Sequence, residues 1–231
     1  MFQNLFNPQT LIVTVPVFLF SLSLHEFMHA WMADRLGDPT ARYLGRLTLN
    51  PLAHYDPIGT TMGLLFRVFG WAKPVPVNAA AFRWPKRDMM LTAFGGPMIN
   101  FTLALCCVVV FKVIQLDYFK PGTLGAAGPI VELIEKMAAY AVFLNLALGI
   151  FNLIPLYPLD GHHILRGFLS FKATLAYDKT KRFGGYILMF LILLGFSGRV
   201  SIIGAPVFFV IDLLFTDAEY VRLATVVDPL F

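Results

Sequence analysis

An all-α polytopic membrane protein is the fold class this sequence predicts, with about five to six transmembrane or partial membrane helices and a short extended or re-entrant segment near residues 70–83. Three observations predict it. Hydrophobic residues make up 58% of the 231 and charged residues only 14%, whereas about a quarter of a soluble domain is charged. Charge-free runs at Leu11–Leu24, Met89–Phe111 and Met137–Leu159 reach, with their weakly polar flanks, the roughly 20 residues a spanning helix needs. Between such runs stand clusters of proline, glycine and basic residues that end helices and face water.

Each element follows from the order of these runs. The first helix starts after Pro8, a good first-turn residue, and runs to about Leu36, with a bend expected at Pro16. Met1–Gln9 lacks the basic region and cleavage site of a signal peptide, so this helix is expected to stay in the mature protein. Gly37–Tyr55 is polar and rich in turn formers. Pro57–Phe69 is apolar but too short to span upright, which predicts a tilted or partial helix. In Gly70–Arg83, Pro74 and Pro76 exclude a helix interior and favour an extended edge strand or re-entrant loop. Further helices are predicted over Asp88–Leu116, over Pro129–Ile154 up to Pro155 and Pro158, and over Gly161–Tyr177. The last apolar region, Phe183–Phe215, is broken by Gly195, Ser197, Gly198, Gly204 and Pro206, so one crossing and a turn back are both open. With no repeat or low-complexity tract, residues 1–231 form a single membrane-embedded domain.

Charge sets orientation. The net charge of +4 points to headgroup contact with the lipid bilayer and not to nucleic acid. Basic residues concentrate between Asp34 and Asp88 and between Asp160 and Phe183, and are sparse from Phe111 to Lys136. By the positive-inside rule the first two segments face the cytoplasm. That predicts a multi-pass protein of the cell membrane with its N-terminus outside. Cys106 and Cys107 are adjacent on a helix, point about 100° apart, and are packing residues, not a disulfide.

The chemistry begins at His25-Glu26-Phe27-Met28-His29, an H-E-x-x-H pattern. On a helix, His25 and His29 lie one turn apart on one face, so both imidazoles can hold one metal. Glu26 lies at the edge of that face, where it can take a proton from metal-bound water. The pattern alone arises by chance in roughly one chain in a hundred of this length. Its setting adds weight, because each ionisable group in a spanning helix costs about 2.5–3.5 kcal/mol on insertion scales. A catalytic zinc takes three protein ligands and keeps one position open. Asp160 is the best candidate for the third, in Asn152-Leu-Ile-Pro155-Leu-Tyr-Pro158-Leu-Asp160-Gly161, although it also suits the N-cap of the next helix. His54, His162 and His163 are either ligands, proton relays or interfacial residues, and Asp56 before Pro57 suits a turn. Asn100 and Asn152 are amides inside spanning helices, suited to interhelical hydrogen bonds, or, for Asn152, to an oxyanion.

These motifs together resemble the site-2 protease family of intramembrane zinc metalloproteases. His25-Glu26-x-x-His29 is similar to the family's motif on its first core helix, and Asn152-x-x-Pro155-x-x-Pro158-Leu159-Asp160-Gly161 to its second. Gly96-Pro97-x-x-Asn100 and Gly70–Asn78 also resemble family segments. The resemblance implies one zinc held by His25, His29 and Asp160, with Glu26 as general base and Asn152 supporting substrate or the tetrahedral intermediate. It implies hydrolysis of peptide bonds in or near transmembrane segments of membrane-protein substrates, with the active site toward the cytoplasmic side and the Gly70–Asn78 segment offering an edge to an extended substrate. Family members often carry Asp-Gly-Gly where this chain has Asp160-Gly161-His162, and many carry a PDZ or CBS domain for which there is no room here. The rival readings are a histidine-cluster di-iron membrane oxygenase, which needs more histidines than the five here, and a non-enzymatic metal transporter using the same ligands.

Overall fold

The structure, a computed structural model, describes residues 7–66, 70–116, 125–196 and 204–228. Helix α1 (Pro8–Arg35) starts where the Asn7 side chain accepts from the Gln9 N–H and Pro8 takes the first turn. The short α2 (Thr40–Tyr43) and a 3₁₀ turn at Pro51–Ala53 follow, then α3 (Gly59–Phe66), α4 (Pro85–Ile114) and α5 (Gly128–Leu153). The chain continues through α6 (Asp160–Phe168), α7 (Phe171–Asp178), α8 (Lys181–Phe196), α9 (Gly204–Leu214) and α10 (Asp217–Val227). Among the described residues, α1, α4 and α5 are the three helices long and apolar enough to cross a membrane. The chain is an all-α integral membrane protein.

α4 is central and packs along both α5 and α1. One core joins Ala104, Val108 and Phe111 of α4 to Ala139, Val142 and Leu146 of α5, and to Val207 and Ile211 of α9. A second joins Val13, Val17 and Phe18 of α1 to Tyr140, Ala141 and Leu144 of α5. Small residues at these contacts let the backbones approach, as packing within lipid requires. Leu105, Val109 and Val113 of α4 and Phe209 and Leu213 of α9 are exposed. Helices that are apolar all round are buried in protein on one side and in lipid on the other.

Most elements fall where the sequence places them. α3 is the expected partial helix, and Asp56 is its turn residue, accepting from the N–H groups of Ile58 and Gly59. Residues 70–78 have no regular secondary structure, and no strand occurs among the described residues. The loop alternative therefore holds. α4 begins at Pro85, three residues before the expected Asp88, because Pro85 fits the first turn and the Asp88 carboxylate accepts from the Trp84 N–H. The single helix expected over Gly161–Tyr177 is two helices. Leu169 is extended between them, and the Ser170 hydroxyl accepts from the Ala173 N–H to start α7. The region Phe183–Phe215 also holds two helices, α8 and α9, and residues 197–203 lie outside the described residues.

α10 is fixed to the far end of the bundle by charge. A capping box of Thr216 and Glu219 starts it. Arg222 then grips Glu135 of α5 with two hydrogen bonds of 2.7 and 2.8 Å. Gln115 donates a third at 2.8 Å, and Lys112 pairs with Glu219 at 3.1 Å. Glu135 is only 2% exposed, so removing its cation leaves a buried carboxylate. Arg222→Ala is expected to lower stability by about 2 kcal/mol, below the usual cost of breaking a buried pair because Arg222 is half exposed. Adding Glu135→Gln to that variant should return most of the loss in a detergent thermal-unfolding measurement.

Candidate metal centre

His25 and His29 lie inside the bundle on α1, 5% and 8% exposed. Their ring orientations are set from behind. His29 Nδ1 lies 2.8 Å from the Thr92 carbonyl on α4. A carbonyl only accepts, so Nδ1 carries a hydrogen and Nε2 is the ring nitrogen turned toward the centre of the group. His25 Nδ1 lies 2.6 Å from Asn100 Oδ1, also on α4, with the same consequence for its Nε2. Gly96 gives the rings their space, since a β-carbon there would sit 2.5 Å from His29 Nε2 and 2.6 Å from His25 Cε1.

Asp160 completes the group. Its Oδ2 stands 3.2 Å from His25 Nε2 and 3.3 Å from His29 Nε2. It does not cap the helix, correcting the N-cap alternative: Leu159 holds that position, Asp160 is the first residue of α6, and no side chain caps the turn. The carboxylate is free to point at the histidines because Gly161 lets α6 fold tightly against the end of α5. A β-carbon there would strike the carbonyls of Leu153 and Ile154.

Three ligand atoms thus lie within 4.8 Å of one another. The two Nε2 atoms are 3.0 Å apart, and Asp160 Oδ2 faces both. Two imidazoles with one carboxylate suit zinc. Among the described residues this is the only group of its kind.

The group opens into a cavity of about 660 Å³ also lined by Glu26, Asn152 and His163. α8 borders it with Leu188, Met189 and Ile192. Glu26 Oε2 accepts from the Val75 N–H at 2.9 Å, which holds the carboxylate at the cavity edge. The loop that supplies this N–H is itself pinned. Arg46 donates to the carbonyls of Lys73 and Pro74, the His54 carbonyl accepts from the Lys73 N–H at 2.8 Å, and Asp38 accepts from the Asn78 N–H at 2.6 Å. Asn152 spends one amide hydrogen on the Leu148 carbonyl at 3.0 Å and keeps the other.

The remaining sequence candidates divide. Asn100 lies behind His25, not in the cavity lining. His54 is away from the cavity, its Nε2 against the Thr48 carbonyl at 2.8 Å, tying the loop together. His162 is fully buried, stacked on Tyr177 with ring centroids 4.6 Å apart. Burial, with help from neighbouring His163 and Lys181, holds its pKa down to about 4, so it is neutral packing at pH 7. Sequence reasoning missed Thr92, Asn145, Asp38, Arg46 and the Val75 N–H. Asn145 carried a signal, an amide in an apolar helix; a backbone donor carries none.

Two histidines on a membrane-length helix and an aspartate at the start of α6, beside a carboxylate, place the chain in the metal-binding class of membrane protein. Comparison with known proteins gives the family: the family model for Peptidase family M50 matches residues 13–195. YwhC of Bacillus subtilis (strain 168) is 38% identical over 155 residues, 67% of this chain and 67% of that protein. Rip2 of Mycobacterium tuberculosis (strain ATCC 25618 / H37Rv) is 27% identical over 185 residues, 79% of this chain and 67% of that protein. MJ0392 of Methanocaldococcus jannaschii is 26% identical over 152 residues, covering 66% of this chain but 33% of that protein. All three have zinc metalloprotease in their names. No solved structure gives a significant match. The chain belongs to peptidase family M50, the site-2 protease family, and is a zinc metalloprotease.

Gly96→Ala is expected to displace both imidazoles and weaken metal binding by at least about tenfold, the scale seen when ligand support is disturbed. Metal content of the purified variant after dialysis against a weak chelator measures it.

Proposed function

We propose that this protease holds one zinc ion through His25, His29 and Asp160 and hydrolyses peptide bonds in or beside transmembrane segments of membrane proteins. The observation that carries the reading is the convergence of three ligand atoms within 4.8 Å, beside Glu26, in a bundle built on membrane-length helices. Zinc, once bound, supplies Lewis acidity, lowering the pKa of water and polarising a carbonyl.

Glu26 takes a proton from the attacking water and delivers it to the leaving amine. The Val75 N–H keeps its carboxylate aimed into the cavity. Asn152, with one amide hydrogen uncommitted, supports the oxygen of the tetrahedral intermediate. A helical substrate hides its peptide groups in i to i−4 hydrogen bonds and must unwind first. The unwound stretch lies along Val75–Val77, since both valines line the cavity and main-chain pairing captures peptides with little sequence demand. The basic residues of Asp34–Asp88 and Asp160–Phe183 put the site toward the cytoplasm and the N-terminus outside, in the cell membrane. Water enters from that side, past Asp160–His163.

The test uses the full chain in detergent and co-expressed single-span substrates. Glu26→Gln is expected to retain one zinc per chain and lose cleavage by about 100- to 10,000-fold, the range for general acid–base catalysis. Asp160→Ala is expected to lose both. Cleavage by Glu26→Gln at the normal rate, or two irons per chain, would overturn the reading.

A further inference from the structure

His25 and His29 are oriented differently. His29 Nδ1 donates directly to a backbone carbonyl, that of Thr92. His25 Nδ1 meets a side-chain amide, Asn100, at 2.6 Å. An amide can turn either face to its neighbour. With its oxygen toward His25 it accepts, leaving Nε2 bare. With its nitrogen toward His25 it donates to Nδ1, the ring hydrogen moves to Nε2, and the ring cannot bind a metal through that atom.

What decides the face is Asn145 on α5, the buried amide behind Asn100. Asn100 Nδ2 donates to Asn145 Oδ1 at 2.8 Å. Asn145 Nδ2 lies 2.9 Å from the Ala141 carbonyl and 2.9 Å from Ser21 Oγ. The Ala141 carbonyl only accepts, and it belongs to the helix backbone, so the Asn145 group facing it must be the nitrogen. Its oxygen then faces Asn100, which must present its own nitrogen there and its oxygen to His25. The polarity of a helix carbonyl is thereby carried through two amides to an imidazole. Asn100 is 1% exposed and Asn145 is fully buried, so water has little access to substitute for either.

We propose that Asn145 is a positioning residue that, through Asn100, fixes which ring nitrogen of His25 is free for the metal. The inference rests on the zinc site proposed above and adds a residue that touches neither metal nor substrate.

The experiment measures zinc dissociation constants of the full chain in detergent by competition with a chelating indicator, with thermal midpoints of the metal-free proteins as a check on folding. Asn145→Leu, close in volume but without an acceptor, is expected to weaken zinc about 10- to 100-fold, the range for losing an outer support. Asn145→Asp keeps an acceptor toward Asn100 whether ionised or protonated, and should stay within about threefold of the unaltered chain. Asn100→Asp presents only acceptors to His25 when ionised and no longer needs Asn145 to choose its face. In that background Asn145→Leu should change zinc affinity by less than about threefold. Equal weakening by Asn145→Leu in both backgrounds, or no weakening in the first, overturns the relay. So does a folded Asn145→Asp that loses tenfold, which keeps the test decisive should Asn145→Leu fail to fold. A failure of the site itself looks different: His25→Ala then binds zinc as tightly as the unaltered chain, and the relay falls with the site.

Discussion

Two imidazole nitrogens and a carboxylate oxygen, drawn from two separate helices, converge within 4.8 Å of one another. The arrangement is set from outside the three side chains. It persists because their other atoms are committed elsewhere: His29 to the Thr92 carbonyl, His25 to Asn100, and Asp160 to a tight approach of α6 on α5 that Gly161 permits. The helices thereby hold the three ligand atoms in place.

The same economy governs the carboxylate beside the centre. Glu26 sits on α1 next to a ligand, yet its hydrogen-bond donor, the Val75 N–H, comes from a loop 49 residues away. That loop has no sheet to hold it. Arg46, the His54 carbonyl and Asp38 engage backbone groups on either side of Val75, leaving Val75 and Val77 to line the cavity. Pro74 and Pro76 prevent it from collapsing into helix. His54, one of the sequence's candidate ligands, contributes as an anchor of this loop.

Away from the centre, the fold answers to lipid. Apolar residues cover both the inside and the outside of α4 and α9, so burying hydrophobic surface does not by itself choose which helices meet. Small residues and a few polar contacts do. Glu135, closed over by Arg222 and Gln115, fixes α10 to α5, and the Asn100–Asn145–Ser21 chain joins α4, α5 and α1 at the level of the histidines.

By itself the sequence determined the class of fold and the chemistry. Spanning helices follow from the length of charge-free runs, and the H-E-x-x-H spacing places two imidazoles on one helical face whatever surrounds it. Partial helix α3 was legible in the same way, from an apolar run too short to cross. The paired helices α6 and α7 were not, because Ser170 ends one turn and starts the next within an otherwise helical pattern. The resemblance of the second motif implied Asp160 as a partner of the histidines, but only the tertiary structure decided that it does not also cap its own helix, that His162 packs and His54 anchors, and that Asn100 stands behind His25. The physical reason is range. Helix periodicity and turn chemistry act over a few residues, whereas the partners of His25 lie 75 and 135 positions along the chain, at Asn100 and Asp160. No local pattern encodes which way an amide or a carboxylate will face across that gap.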